Sequence, residues 1–359
     1  MSWWNDTTLR RVPRFDPLRH HVHRFGSVTR PVALPVTFTP YAAAQPCSAR
    51  CRFCSETLVP QHARGPLAST LRPHARYGEQ LARCLELLAG LPVGLSLSGL
   101  EATDHPEWLL GALEHLDRFP FEERVLYSNA AGLCDATQGQ RLRPALEHFD
   151  RIEISRHSHN PERNRAIMRF RSGQPIADGA VFEDTVRAIK NPIRLVCVVQ
   201  RGGVEDATSL RDYLRWARDT LGVRDVVLRE LAQLGDLYRS NATQRYIEQH
   251  RVPFTTLLAA SEPWVAEGEL QPVERTDGYY FWNARAKLGD MLVTFEASNY
   301  ATMRERHSSN AVHKLIFHAN GNLTGDWDPN REIIARIPPS STNAPHLTVL
   351  ESQLPCAKA

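Results

Sequence analysis

The chain has 359 residues, 42% hydrophobic and 23% charged, with 43 basic against 40 acidic side chains and a formal net charge of +3. That is the make-up of a globular protein able to bury one large α/β core with an extension, or two cores. It argues against a membrane-spanning helix, because no uncharged apolar run nears the ~18 residues that a span needs, and so small a charge does not call for a nucleic-acid partner.

The opening stretch, MSWWNDTTLRRVPRF, shows no apolar run of signal-peptide type, so a cytoplasmic location with reduced thiols is expected. VALPVTFTP (32–40) is rich in β-branched residues and predicts a first strand. A loop with three cysteines follows. RYGEQLARCLELLAGL (76–91) places Leu81, Cys84, Leu85 and Leu88 on one helical face. Strands are then predicted at 93–101, 124–130, 151–157, 193–200 and 223–231. Helices are predicted between them at 105–119, 140–149, 182–190 and 207–222. Such alternation implies βα units and a parallel sheet. Beyond about residue 235 the pattern changes. Residues 240–260 read as helical, and three later stretches read as strands: DGYYFWNAR, DMLVTFEAS and AVHKLIFHANGNLTGDW. NGN at 320–322 is a hairpin-turn signal. The expected divisions are an N-terminal extension (1–31), a core (32–238), a capping and substrate region (239–338) and an extended tail (339–359).

Three of the seven cysteines, Cys47, Cys51 and Cys54, fall within QPCSARCRFCSE. An odd number at such close spacing suits a shared metal centre better than disulfides. Three thiolates can hold three irons of a [4Fe–4S] cluster and leave the fourth iron open, whereas structural zinc is normally closed by four ligands. Cys84 lies on an apolar helical face and His62 is a weak fourth ligand, so a zinc-stabilised protein that binds RNA or another macromolecule stays as the alternative. Cys84 and Cys197 read as buried apolar residues.

CSARCRFC resembles the CxxxCxxC signature of radical S-adenosylmethionine (radical SAM) enzymes, with the similarity extending over about residues 32–235. The resemblance implies an α/β fold, a partial (β/α)6 TIM-like barrel, here followed by a C-terminal α+β extension. It implies a [4Fe–4S] cluster on Cys47, Cys51 and Cys54, S-adenosylmethionine as second cofactor, and an electron donor such as flavodoxin or ferredoxin. By position, SLSGLE resembles the family's Gly-Gly-Glu segment, which implies cofactor contacts from Ser98, Gly99 and Glu101, although Ser-Gly-Leu-Glu departs from that pattern. Ser128 and Asn129 in YSNAAG match a cofactor-facing segment after the third strand. Ser155 stands where the ribose is bound. Gln200 and Arg229 end the fifth and sixth strands, and Val199 or a neighbour would pack on adenine. Arg156, His157 and His159 after the fourth strand, with His318 and Asp326 in the C-terminal hairpin, are the candidates for substrate handling. The hairpin would also cap an open sheet edge. Cys134 and Cys356 are candidate hydrogen-atom donors. The scattered remaining cysteines imply a single cluster. The expected substrate is a small polar molecule, a sugar, nucleoside or amino-acid derivative, with peptide modification as the alternative within the class.

Overall fold

The structure is a computed structural model and describes residues 2–5, 9–11, 20–41, 43–66, 68–277, 280–307 and 310–339. The expected tail, Cys356 included, lies outside these residues apart from position 339. The strands are β1 (Arg10–Arg11), β2 (His20–Phe25), β3 (Val28–Ala33), β4 (Val36–Tyr41), β5 (Val93–Leu97), β6 (Arg124–Ser128), β7 (Arg151–Ser155) and β8 (Ile193–Val199). They continue with β9 (Asp225–Glu230), β10 (Leu270–Asp277), β11 (Phe281–Leu288), β12 (Met291–Ser298), β13 (Leu315–His318), β14 (Asn322–Thr324) and β15 (Ile333–Arg336).

Strands β4 to β9 lie side by side in chain order and all run parallel. A helix separates each from the next: Tyr77–Leu87, Pro106–Leu116, Ala136–Leu146, Gly179–Ala188 and Ala207–Arg215. Local signals start these helices. Pro106 opens one, where its missing N–H costs nothing. The Asp135 carboxylate accepts the Thr137 and Gln138 N–H groups, and Asp206 forms a reciprocal capping box with Ser209. The predicted helix 207–222 ends instead in a π-turn, Trp216–Thr220.

Both edges of this six-stranded core are covered. The strand β13 pairs with β4 in parallel, so the hairpin caps that edge as its sequence suggested. On the other side β12 pairs with β9 in parallel. Antiparallel pairs extend the sheet further at each end, with β1 added in parallel beyond β10, to 13 strands in all, and its two ends are not paired with each other among the described residues. The fold is thus mixed α/β with a large, mostly parallel sheet.

The sequence reading missed several elements. The single strand expected at 32–40 is two, because Pro35 has no N–H for a ladder; β3 instead pairs with β2 in a separate hairpin. The strand β10 and the helices Pro161–Met168 and Tyr300–His307 were not expected either.

The two faces of the core sheet differ in character. Ile152, Ile154, Leu195, Cys197, Val199, Val226 and Leu228 pack into the main hydrophobic cluster. Their neighbours along the strands, Arg151, Glu153, Arg194 and Arg229, point the other way and pair across strands. Glu153 Oε1 lies 3.0 Å from Arg194 and 3.2 Å from Arg151, and Arg229 Nε lies 3.0 Å from Glu296 on β12. Alternation along each strand therefore leaves one face apolar against the helices and the other lined with paired charges.

Candidate functional site

Because β4 to β9 are parallel, the segments after their C-terminal ends gather at one mouth of the sheet. The cysteine loop follows β4. It is fixed by backbone bonds to the helix Pro161–Met168 and the residues after it: Arg50 N–H to Met168 O at 2.9 Å, Arg52 N–H to Ile167 O at 3.1 Å, and Arg171 N–H to Ser48 O at 3.2 Å. Asn160 caps that helix.

Cys47, Cys51 and Cys54 line one cavity of about 370 Å³, together with Gly99, Glu101, Ser128, Asn129, Ser155, His157 and Arg229. Among the described residues no group of three or more His, Cys, Asp or Glu side chains is placed to hold a metal ion. Cys47 Sγ accepts the Ala49 N–H at 3.3 Å and the Asn129 Nδ2–H at 3.4 Å. Burial pushes all three thiols up, Cys51 to about 12. Metal binding would have to displace their protons, and the two N–H donors on Cys47 favour the thiolate once that happens. The donor chemistry fits a cluster, with three thiols on one loop, N–H donors to sulfur and free volume in front, but the three sulfurs would have to draw together to share one.

Glu101 joins the ends of β5 and β6. Its Oε1 accepts from Thr103 N at 3.1 Å, Thr103 Oγ1 at 2.7 Å and Ser128 Oγ at 2.9 Å, and its Oε2 accepts from Asn129 N at 2.5 Å. The carboxyl is buried, and burial followed by the nearby Asp104 raises it to about 7. Asn129 also donates to Ser48 Oγ at 3.1 Å, so β6 is tied to the cysteine loop. Just before Glu101, Gly99 has φ +91° and lies against the Tyr41 ring, where a Cβ would stand 1.9 Å from a ring carbon. Gly99→Ala should therefore cost about 2 kcal/mol or more, through backbone strain and overpacking, read as a lower urea midpoint.

Arg229 faces the cavity between Glu296 and Glu153. Burial opposes its charge, but Glu296, Tyr127 and Glu153 outweigh that and hold the guanidinium above its usual value. Val196 and Val198 line the cavity; Val199 faces the helices instead.

A second cavity of about 320 Å³ adjoins the first and shares Ser55, Glu56, Leu58, Gly99 and Tyr300 with it. Ser98, His62, Tyr238, Tyr280, Asp326, Trp327 and Asp328 also line it. His62 is bonded to Asp328 at 2.8 Å and is not placed with the cysteines. Three residues of this region were missed from sequence. Glu56 receives the Tyr41 hydroxyl, and burial raises its carboxyl to about 7. Lys314 Nζ sits over the Tyr280 and Trp327 rings at 5.2 and 5.3 Å, and burial lowers it to about 8. Tyr300 lines both cavities. For Glu56, adjacency to Cys54 was an available signal; Lys314 and Tyr300 carried none.

Other expected site residues stand elsewhere. Arg156 stacks 4.3 Å over Phe182 in the helix layer, with its Nε bonded to Ser158 O, so it does not line the cavity. His159 is half-buried beyond it, towards Asp212 and Arg163, and lines neither cavity. Gln200 is consumed within a turn: its amide donates to Val198 O and accepts from Tyr246 Oη. Cys134 lines a separate groove between helices Ala136–Leu146 and Gly179–Ala188.

The two remaining histidines are buried. His157 Nδ1 accepts the Val198 N–H at 3.0 Å. Burial, then Arg156, lowers this ring to about 3. His318 contacts Thr324 and the Asp326 carbonyl through Nε2 behind the second cavity, and burial lowers it to about 4. Both rings are neutral at pH 7. Their folded values lie below the ordinary 6.5, so the stability they contribute is present above that pH and lost as pH falls through the window down to about 4 and 3. Lowering pH from 6.5 to 5 should cost about 2 kcal/mol per ring, and the His157→Gln variant should lose correspondingly less in urea titrations at the two pH values.

These features define a cavity lined by three thiols at the C-terminal mouth of a mostly parallel α/β sheet. No known protein family matches the sequence, and no curated protein matches it. The solved structures similar to the chain include anSMEcpe with bound AdoMet, at 15% identity and a TM-score of 0.40, over 54% of this chain and 51% of that one. They also include coproporphyrinogen III oxidase from Escherichia coli, described as a radical SAM enzyme, at 12% identity and 0.37, over 70% and 66%. A third is a radical SAM methyltransferase from Sphaerobacter thermophilus, at 15% and 0.38, over 74% and 77%. The chain spans about half the length of the first. At these scores the likeness is loose and lends the site no residue.

Proposed function

We propose that the chain is a radical SAM enzyme. In this reading Cys47, Cys51 and Cys54 hold a [4Fe–4S] cluster, S-adenosylmethionine lies beside it, and a small polar substrate enters by the adjoining cavity. The observation that carries the reading is the arrangement of three free thiols, Glu101, Ser128 and Asn129 around one cavity where parallel strands end. Held by these three cysteines, such a cluster would supply one electron for reductive cleavage of S-adenosylmethionine and so the means to abstract hydrogen from a substrate.

The chain's own residues bind and orient. Glu101 Oε2 receives a single internal donor and has capacity left for the methionine ammonium. Arg229, held by Glu296 and Glu153, is a fixed cation for a carboxylate. Ser155 serves the ribose, and Val196 and Val198 give adenine an apolar wall. In the outer cavity Tyr238, Tyr300 and Trp327 offer aromatic surface, and Asp326 a carboxylate, to a sugar, nucleoside or amino-acid derivative. His157 stays neutral and helps exclude water, so it is not a general acid at pH 7.

Iron and sulfide analysis of anaerobically reconstituted protein tests the reading, with about four of each per chain expected. Reduction in the presence of S-adenosylmethionine should release 5′-deoxyadenosine. One zinc and no colour would replace the reading with a zinc-stabilised protein.

A further inference from the structure

Glu56 stands where the two cavities meet and lines both. Its carboxyl is withdrawn from bulk water and joins no ion pair among the described residues. The one donor it receives there is the neutral Tyr41 hydroxyl, on Oε2. The fully buried acids are treated differently. Glu153 holds Arg151 and Arg194, and Glu230 holds Arg251 and the Phe254 N–H. Asp328 holds His62 and the Asn330 N–H, and Glu101 has four donors. A carboxylate taken out of water needs a cation or several donors. Glu56 lacks both and faces open space.

Its surroundings suit a positive charge. Burial, then Glu56, pushes the Tyr300 hydroxyl up to about 12, and Glu56 also acts on Tyr238, so both phenols stand near this carboxyl and stay neutral. Both rings line the outer cavity, 6.3 Å apart, and neither has a cation over its face among the described residues. Aromatic faces attract cations. The adjoining Tyr280 and Trp327 already take one, since Lys314 Nζ lies 5.2 and 5.3 Å over them. The arginines that line this cavity, Arg304 and Arg331, are exposed and so stand at its rim. The inner end is therefore acidic and aromatic, and the outer end basic.

We propose that the outer cavity takes a substrate carrying an amine, whose ammonium is received by Glu56 beside Tyr238 and Tyr300. The inference rests on the functional reading above and narrows its substrate class: amino acids and amino sugars belong to it, and neutral sugars do not. A carboxylate on the same molecule would lie outward, towards Arg304 and Arg331. An ammonium fixed at the junction also sets which carbon–hydrogen bonds face the inner cavity, namely those near the amine.

The test uses reconstituted holoprotein in its oxidised state, with S-adenosylmethionine present so that Glu101 and the inner cavity are occupied. Benzylamine, benzyl alcohol and benzoate share one ring and differ in charge, and each is titrated by calorimetry. Benzylamine should bind about tenfold or more tightly than benzyl alcohol, the worth of a charge-assisted hydrogen bond, and benzoate should bind worst. Glu56→Gln keeps an oxygen for the Tyr41 hydroxyl. It should abolish the advantage of benzylamine and leave benzyl alcohol as before. The ranking in the wild type decides even where the variant does not fold. Equal affinity for benzylamine and benzyl alcohol in the wild type, or an amine preference that survives Glu56→Gln, would overturn the amine site alone. Protein that takes up no iron would bring down the functional reading, and the substrate role of this cavity with it.

Discussion

Replacing Cys47, Cys51 and Cys54 together by alanine should give a folded protein that binds no iron and releases no 5′-deoxyadenosine. The loss is expected to be complete because the three thiols are the only cysteines among the described residues that share one loop and one cavity. The fold should survive. The loop's position comes from backbone bonds to residues 167–171 and from Asn129 donating to Ser48, none of which needs a sulfur. The N–H contacts to these sulfurs are weak ones, two on Cys47 at 3.3 and 3.4 Å and one backbone contact each on Cys51 and Cys54. Removing three half-buried thiols without strong partners should therefore shift stability by only about 1 kcal/mol in all. Iron analysis and thermal unfolding of wild type and variant check both halves. A triple variant that keeps its iron and colour would refute the assignment.

The parallel core was legible because each βα unit carries its own signal: β-branched runs, helical spacing as in Leu81, Cys84, Leu85 and Leu88, and punctuation by Gly and Pro. Parallel order then collects the strand ends, which is why Glu101, Ser128, Asn129, Ser155 and Arg229 could be assigned to one mouth from linear positions alone. What failed was orientation after a strand stops. Ser155 faces the cavity, but the next side chain, Arg156, turns to the helix layer, where Phe182 and Trp216 take its guanidinium. A one-residue step reverses the face, and nothing local to ISRHSH states which residue lies on which side. Gln200 fails for another reason: the chain turns at once, and both ends of its amide are used by Val198 and Tyr246. The outer β-strands were partly invisible because their pairing is non-local. The pairing of β12 with β9 places Glu296 beside Arg229 across 67 residues of sequence, and no window of sequence contains both partners. The helix Pro161–Met168 was hidden by polarity: PERNRAIM offers one short apolar face, and its role is to hold the cysteine loop by its backbone.

Glu101 is the residue whose structural and cofactor roles must be separated. Its carboxylate has four internal donors, three on Oε1 and one on Oε2, and lies out of water. Glu101→Ala leaves the Thr103 and Asn129 N–H groups and the two hydroxyls without this acceptor. Buried donors left unpaired cost about 1–3 kcal/mol each. The hydroxyls of Thr103 and Ser128 are within reach of each other at 3.1 Å and can turn to compensate, whereas the two backbone N–H groups cannot. A loss of about 4 kcal/mol is therefore expected for alanine. Glu101→Gln keeps one acceptor oxygen. Placed at the Oε1 position it satisfies three donors and sets its own NH2 against the Asn129 N–H, so about 2 kcal/mol should be lost. Stability in urea should thus run wild type, then Gln, then Ala. Affinity for S-adenosylmethionine should follow a different course. If Oε2 also takes the methionine ammonium, Gln presents a donor to a cation and should lose nearly as much affinity as Ala, although it loses only half the stability. Calorimetric titration of the two reconstituted variants with S-adenosylmethionine decides between the roles. Affinity that tracks stability would leave Glu101 as the tie between β5 and β6, and wild-type affinity in Glu101→Gln would remove it from the cofactor site.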